Sequence, residues 1–263
     1  MKTTLNLLRL TLLSALMVVR INAQTVGQVT VIKEIQNVQT SASTVVVNPL
    51  APGPFYGGPY VFSTEVSGSS LSGITAPSIS LATGSTFSTT NPTEWNNGNL
   101  TYNSGSDSWK FGASAQDYGN PDQSTLDTNF AVGTYGMTVL GHSFSLNFAA
   151  NDHPANTPTL TLTGGHWLGG RYVIDPSQTL TVTSNAFTNF GANTDGVISL
   201  NVDSLSINSL TFYSASPTPN YATVTIPGGT LTAGTDFGIG VGFYALKDKP
   251  VVSGLSGALI AAG

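Results

Sequence analysis

The chain of 263 residues contains no cysteine, and only 8% of its residues are charged. The first absence excludes disulfides, thiolate metal sites, a cysteine nucleophile and lipid attachment through a cysteine near the N-terminus. Ordinary soluble domains carry about 25% charged residues. What charge there is gives −5 overall and never clusters Lys with Arg. Nucleic acid and anionic lipid are thereby excluded as partners, since both are held by grouped basic side chains. Three histidines, His142, His153 and His166, sit beside turn residues, without His-x-His or His-Glu-x-x-His spacing. No Gly-x-Ser-x-Gly elbow is present to carry a serine nucleophile. Amphipathic helical periodicity is missing over any long stretch, which disfavours parallel α/β folds. The longest apolar run, Leu10 to Val19, is too short for the roughly 20 residues of a membrane-spanning helix.

That run has another reading. Lys2 and Arg9 make a basic start, Leu10 to Val19 an apolar centre, and Arg20 to Ala23 a polar exit ending in a small residue. Residues 1–23 are therefore expected to be a cleaved export signal, leaving Gln24 as the first residue of a secreted protein, extracellular, surface-held or periplasmic. Three of the eight basic residues lie in the signal and all thirteen acidic residues after it, so the exported part carries −8. With no disulfides outside the cytoplasm, it must rely on core burial, and Thr, Ser and Asn are expected to supply the solvated faces of its strands.

Strand signals run almost throughout. Residues 24–59 hold two β-like stretches, Gln28–Ile32 and Ser43–Val47, followed by a stretch with four prolines and three glycines that reads as a linker. Residues 60–150 read as a first β domain, with period-two alternation at Tyr60–Val66, again at Ser78–Ala82, and a short strand at Ser108–Phe111. Asn91 to Gly105 is expected to be a long turn or hairpin. One short helix is expected at Ser124–Phe130, capped by Ser124 with Asp127 three residues on. Thr134–Leu140 and Ser143–Ala149 flank Gly141-His142, which reads as a hairpin turn. The Asn- and Pro-rich stretch 151–158 marks a boundary, and residues 159–263 read as a second domain. Seven strands follow the boundary, at Thr159–Thr163, Arg171–Ile174, Thr179–Ser184, Val197–Val202, Ser209–Tyr213, Ala222–Ile226 and Asp236–Ala245. Ala258–Ala262 reads as a final strand. The expected class is all-β, with two β-sandwich-like domains.

Gln178-Thr-Leu-Thr-Val-Thr-Ser184 resembles the second strand of fibronectin type III and related immunoglobulin-like sandwiches. Leu231-Thr-Ala-Gly-Thr-Asp-Phe-Gly-Ile239 resembles their approach to the sixth strand, with Phe237 where a tyrosine is usual and Ser184 where the core tryptophan is usual. The layout as a whole is similar to uncharacterised exported bacterial proteins of the PEP-CTERM-associated type. Tyr60-Val-Phe62, Thr163-Gly-Gly-His-Trp167, Val173-Ile-Asp-Pro176 and Ile226-Pro-Gly-Gly-Thr-Leu231 carry that likeness, while Gly254 to Gly263 lacks the Pro-Glu-Pro sorting tail.

Function is read from loops and composition. Trp95, Tyr102, Tyr118 and Trp167 lie near polar loops, where rings can stack on sugar faces, and are the expected carbohydrate contacts. Each also suits a sandwich core. Asp117, Asn120 and Asp122 place three oxygen side chains in a Gly/Pro turn, a calcium-loop pattern that equally makes turns. The Gly238, Gly240, Gly242 series follows strand spacing and reads as close packing, and Asn99-Leu-Thr101 is a glycosylation sequon. Dispersed carboxylates give no catalytic pair, and no cofactor is indicated. The expectation is an exported, non-enzymatic structural or adhesion-type protein, with polysaccharide or surface proteins as partners and a tendency to self-associate through strand edges. A carbohydrate-binding module is the alternative, and an extracellular hydrolase the third reading.

Overall fold

A computed structural model describes residues 24–47, 59–113, 122–150, 153–154, 156–187, 195–202, 207–214, 220–248, 250, 252–253, 255 and 258–262. The expected signal peptide, Asp117, Tyr118 and Asn120 lie outside the described residues. The fold is all-β, as the alternation requires.

An eight-stranded sheet runs through both halves of the chain. Its order is β15 (Ile207–Ser214), β14 (Asp195–Val202), β17 (Ile239–Asp248), β18 (Ala258–Ala262), β1 (Thr25–Ile35), β4 (Tyr60–Ser69), β7 (Ser108–Ala113) and β6 (Thr101–Asn103). Every neighbouring pair is antiparallel except β1 with β18, which run parallel from Gln28↔Ala258 to Ile32↔Ala262. Two three-stranded sheets accompany it. One is β5 (Ser78–Ser80), β8 (Gly133–Val139) and β9 (His142–Phe148); the other is β10 (Leu160–Thr163), β13 (Leu180–Ser184) and β16 (Thr223–Ile226). The hairpins β2 (Asn37–Gln39) with β3 (Val45–Val47), and β11 (Gly165–Leu168) with β12 (Arg171–Ile174), complete the strands among the described residues.

Two main cores result among the described residues, beside a small cluster of Val197 and Leu246. Val29 and Val31 of β1, Phe62 and Val66 of β4 and Phe111 of β7 meet Ile79, Tyr135, Met137, Leu146 and Phe148 from the β5–β8–β9 sheet. Phe62 stacks flat on Phe130, with ring centroids 4.0 Å apart. The second core joins Leu180, Val182 and Ile226 of the β10–β13–β16 sheet to Ile198, Leu200, Val202 and Phe243 of β14 and β17. The first core combines residues before 151 with Leu255 from near the chain's end, the second is built from residues after 158, and backbone pairing continues from one half to the other through β18.

The β-like stretch expected at Gln28–Ile32 is part of the longer β1, an interior strand flanked by β18 and β4 that buries Val29 and Val31 in the first core. The β8–β9 turn is Leu140-Gly141, one residue earlier than Gly141-His142. His142 pairs with Val139, and Leu140 and Gly141 take φ of 50° and 78°, the left-handed pair of a type I′ turn. The helix α3 (Gln123–Asn129) is capped by Asp122, whose Oδ1 accepts from the Thr125 N–H at 2.7 Å, and not by Ser124. Asn91 to Gly105, expected as a long turn or hairpin, holds α2 (Pro92–Trp95) and then β6, which pairs antiparallel with β7; α1 (Phe87–Thr90) precedes it. In the second half, the seven expected strands are joined by β11, which glycines at 164, 165, 169 and 170 had disguised as loop.

Candidate functional site

A cleft of about 500 Å³ lies between the end of β1, the β2–β3 hairpin, residues 153–154 and 156–158, and the first half of β17. Alternation along β1 sends Val29, Val31 and Lys33 to one face, which leaves Glu34 on the other. Glu34 accepts a hydrogen bond from Gln36 Nε2 at 2.6 Å. Burial pushes its carboxyl above the ordinary value of 4.5, partly opposed by the Gln36 hydrogen bond. Across the cleft, burial and then the negative charge of Glu34 push the Tyr244 hydroxyl upward. The Tyr244 ring lies over Gly242, where a Cβ would come within 2.6 Å of it. Side chains lying over the glycine face thus explain the Gly240–Gly242 series, since Asn201 covers Gly240 in the same way.

Two tethers hold the walls. Gln39 Oε1 accepts from the Leu160 N–H at 2.7 Å, and Gln39 Nε2 donates to the Leu160 carbonyl at 2.9 Å. Asn156 Nδ2 donates to the Ala186 carbonyl at 2.7 Å. Behind Glu34, Lys33 is 2% exposed and donates to Asp127 Oδ1 at 2.6 Å and to the Phe130 carbonyl at 2.8 Å. Burial lowers the Lys33 ammonium below its ordinary 10.5, against the hydrogen bond and charge of Asp127. Lys33 therefore anchors α3 to β1.

No protein-family model, curated protein or solved structure matches this chain. The site is accordingly judged on its own chemistry. Among its described lining residues Glu34 is the one carboxyl, surrounded by the amides of Gln36, Asn37, Gln39 and Asn156. Several of these amides are already engaged within the protein, Gln36 with Glu34, Gln39 with Leu160 and Asn156 with Ala186, and the pair of facing acids that glycoside hydrolysis uses is not assembled among the described lining residues.

Of the residues expected to hold sugar, the three described, Trp95, Tyr102 and Trp167, do not line this cleft. Trp95 is 9% exposed and sits in the first core, edge-on to Phe111 at 5.2 Å and to Phe87 at 6.3 Å. Tyr102 packs on Trp109 at 5.3 Å and donates its hydroxyl to Asp107 Oδ1 at 2.8 Å. That carboxylate also accepts from the N–H groups of Ser70 and Leu71, and Trp109 Nε1 donates to the Leu71 carbonyl. The hydrogen bond from Tyr102 comes first among the causes that hold Asp107 below the usual carboxylate range. Trp167 packs edge-on against Tyr172 at 5.6 Å on the β11–β12 hairpin. Of the three oxygen residues read as a calcium turn, the one described, Asp122, is committed to capping α3. Among the described residues no three His, Asp or Glu side chains gather as metal ligands.

Sequence reasoning passed over Lys33, Glu34, Gln39 and Tyr244. One signal was available: Lys33 follows Val29 and Val31 at period two, which places a charge on a core face and calls for a partner. Gln39 and Tyr244 carry no such local signature.

Proposed function

We propose that this chain is an exported, non-enzymatic structural or adhesion-type protein of the cell surface or extracellular matrix. The observation that supports the reading is one eight-stranded sheet that joins strands from both halves of the chain, with no catalytic pair gathered among the described lining residues of its cleft. The immunoglobulin-like character of the second half is supported by strand order. In such sandwiches the second and sixth strands belong to opposite sheets, with orders A-B-E and C-F-G. β13 and β17, where the sequence resembles those two strands, lie in different sheets, and β10–β13–β16 and β14–β17–β18 follow the two orders. Export is supported by the basic and apolar pattern of residues 1–23.

The test is fractionation of native cells, with surface proteolysis and mass spectrometry of the processed N-terminus. Recovery from the surface or matrix with a terminus near Gln24 is expected. A cytoplasmic protein that retains Met1 would sink the proposal.

A second reading rests on the cleft, where Glu34, Tyr244 and the amide atoms left over from internal hydrogen bonds would meet a neutral sugar. Calorimetry with neutral oligosaccharides on the wild type and on Glu34→Ala tests it, and equal heats for both proteins would remove the cleft from consideration.

A further inference from the structure

The outward face of the β10–β13–β16 sheet is a grid of one residue type. Alternation points Leu162, Val182, Val224 and their neighbours toward the second core, and leaves Thr161 and Thr163, Thr181 and Thr183, and Thr223 and Thr225 on the other face. Register aligns them in two straight rows across three strands: Thr161, Thr183 and Thr223 in one, Thr163, Thr181 and Thr225 in the other. The four outer threonines are exposed and the two on the central strand half-buried. Thr223 and Thr183 hydroxyls are 3.1 Å apart and hydrogen-bonded. None of the three strands contains a charged residue.

Strand propensity accounts for threonine in the sheet, but it does not ask for the same residue at every outward node. Neighbouring strands are spaced about 4.8 Å apart and alternate residues about 6.7 Å. Each node offers a hydroxyl that donates and accepts, beside a methyl that excludes water. Branching at Cβ fixes χ1, so the array is ordered before anything binds and little entropy is lost on contact. What matches such a face is an uncharged lattice whose own groups both donate and accept at a similar spacing.

Ice has those properties. Tetrahedral hydrogen bonds of about 2.8 Å place second-neighbour oxygens ~4.5 Å apart and give a two-layer repeat of ~7.4 Å. Both lie near the two spacings of the grid. A polysaccharide surface also bears hydroxyls, but its sugar rings are gripped by aromatic faces, and the six positions hold none. We propose that the threonine face of the β10–β13–β16 sheet binds ice.

This inference goes beyond the structural or adhesive role and does not depend on it. The purified protein is frozen slowly into a growing ice hemisphere and assayed for inhibition of ice recrystallisation. Wild type is expected to enter the ice and to hold grains small. Thr161→Lys/Thr225→Lys, with its melting temperature confirming the fold, is expected to lose both effects. Ser145→Lys, on the exposed face of β9, is expected to keep them. Thr161→Ser/Thr225→Ser retains the hydroxyls without the methyls and is expected to be weaker than wild type even if the lysine variant fails to fold. Exclusion of wild type from ice overturns the proposal, as does full activity in the folded grid variants. Retention on microcrystalline cellulose without uptake into ice overturns it in favour of a polysaccharide.

Discussion

The side-chain amide of Gln39 occupies both backbone hydrogen-bonding groups of Leu160, taking the N–H at 2.7 Å and giving to the carbonyl at 2.9 Å. An adjacent strand would make the same two bonds. β10 is an edge of its sheet, and exposed edges recruit strands from other molecules. Gln39 thus covers one rung of that edge with a side chain.

Gln39→Ala reopens that rung. Loss of about 1 kcal/mol is expected from two part-buried hydrogen bonds, read as a lower urea midpoint with unchanged slope. Light scattering should also become more concentration-dependent than in wild type. Unchanged stability would show that water replaces the amide without cost.

Lys33 and Asp127 should respond asymmetrically. Asp127→Ala leaves a buried ammonium without its carboxylate and is expected to cost about 3 kcal/mol or more, whereas Lys33→Met removes the charge itself and should cost far less. Urea denaturation of the two variants ranks them. The reverse order would mean that Asp127 stabilises the helix by some route other than Lys33.

Glu34 predicts a pH dependence of definite sign. Its folded value is raised above 4.5 by burial, so its contribution is fully present below the unfolded value and is lost as pH rises through the folded one. Glu34→Gln should therefore melt higher than wild type at pH 7, and the gap should close as pH falls below 4.5. Parallel melting curves at every pH would exclude a buried Glu34 carboxylate.

Gly242 seats the Tyr244 ring. Gly242→Ala is expected to lower the melting temperature by displacing that ring, and Tyr244→Ala in the same chain should recover part of the loss. A double-mutant cycle measures the coupling. Additive effects would place the ring elsewhere in solution.

Where one face of a strand is solvated and the other buried, the sequence was readable. Leu180, Val182 and Ser184 alternate with Thr181 and Thr183, and β13 falls within one residue of its expected start. The interior place of β1 was not legible, because pairing with β18 is set by residues more than 225 positions away and leaves no local mark. The cap was misread for a simpler reason: Asp122 and Ser124 are both good caps, and the choice turns on where the chain enters α3. The described aromatic candidates do not gather because large rings near polar loops serve equally well as core, and Trp95 packs against Phe87 and Phe111. The cleft was invisible to motif reading, since Glu34, Asn156 and Tyr244 come from three distant segments.

The parallel seam between β1 and β18 has a mechanical meaning. In an antiparallel hairpin, a pull on both ends opens the ladder one rung at a time. Tension between Gln24 and Ala262 instead slides β1 against β18 along their common axis, so all five register pairs from Gln28↔Ala258 to Ile32↔Ala262 are strained together. Shear of that kind needs several hydrogen bonds to fail at once, which makes this joint a clamp against stretching.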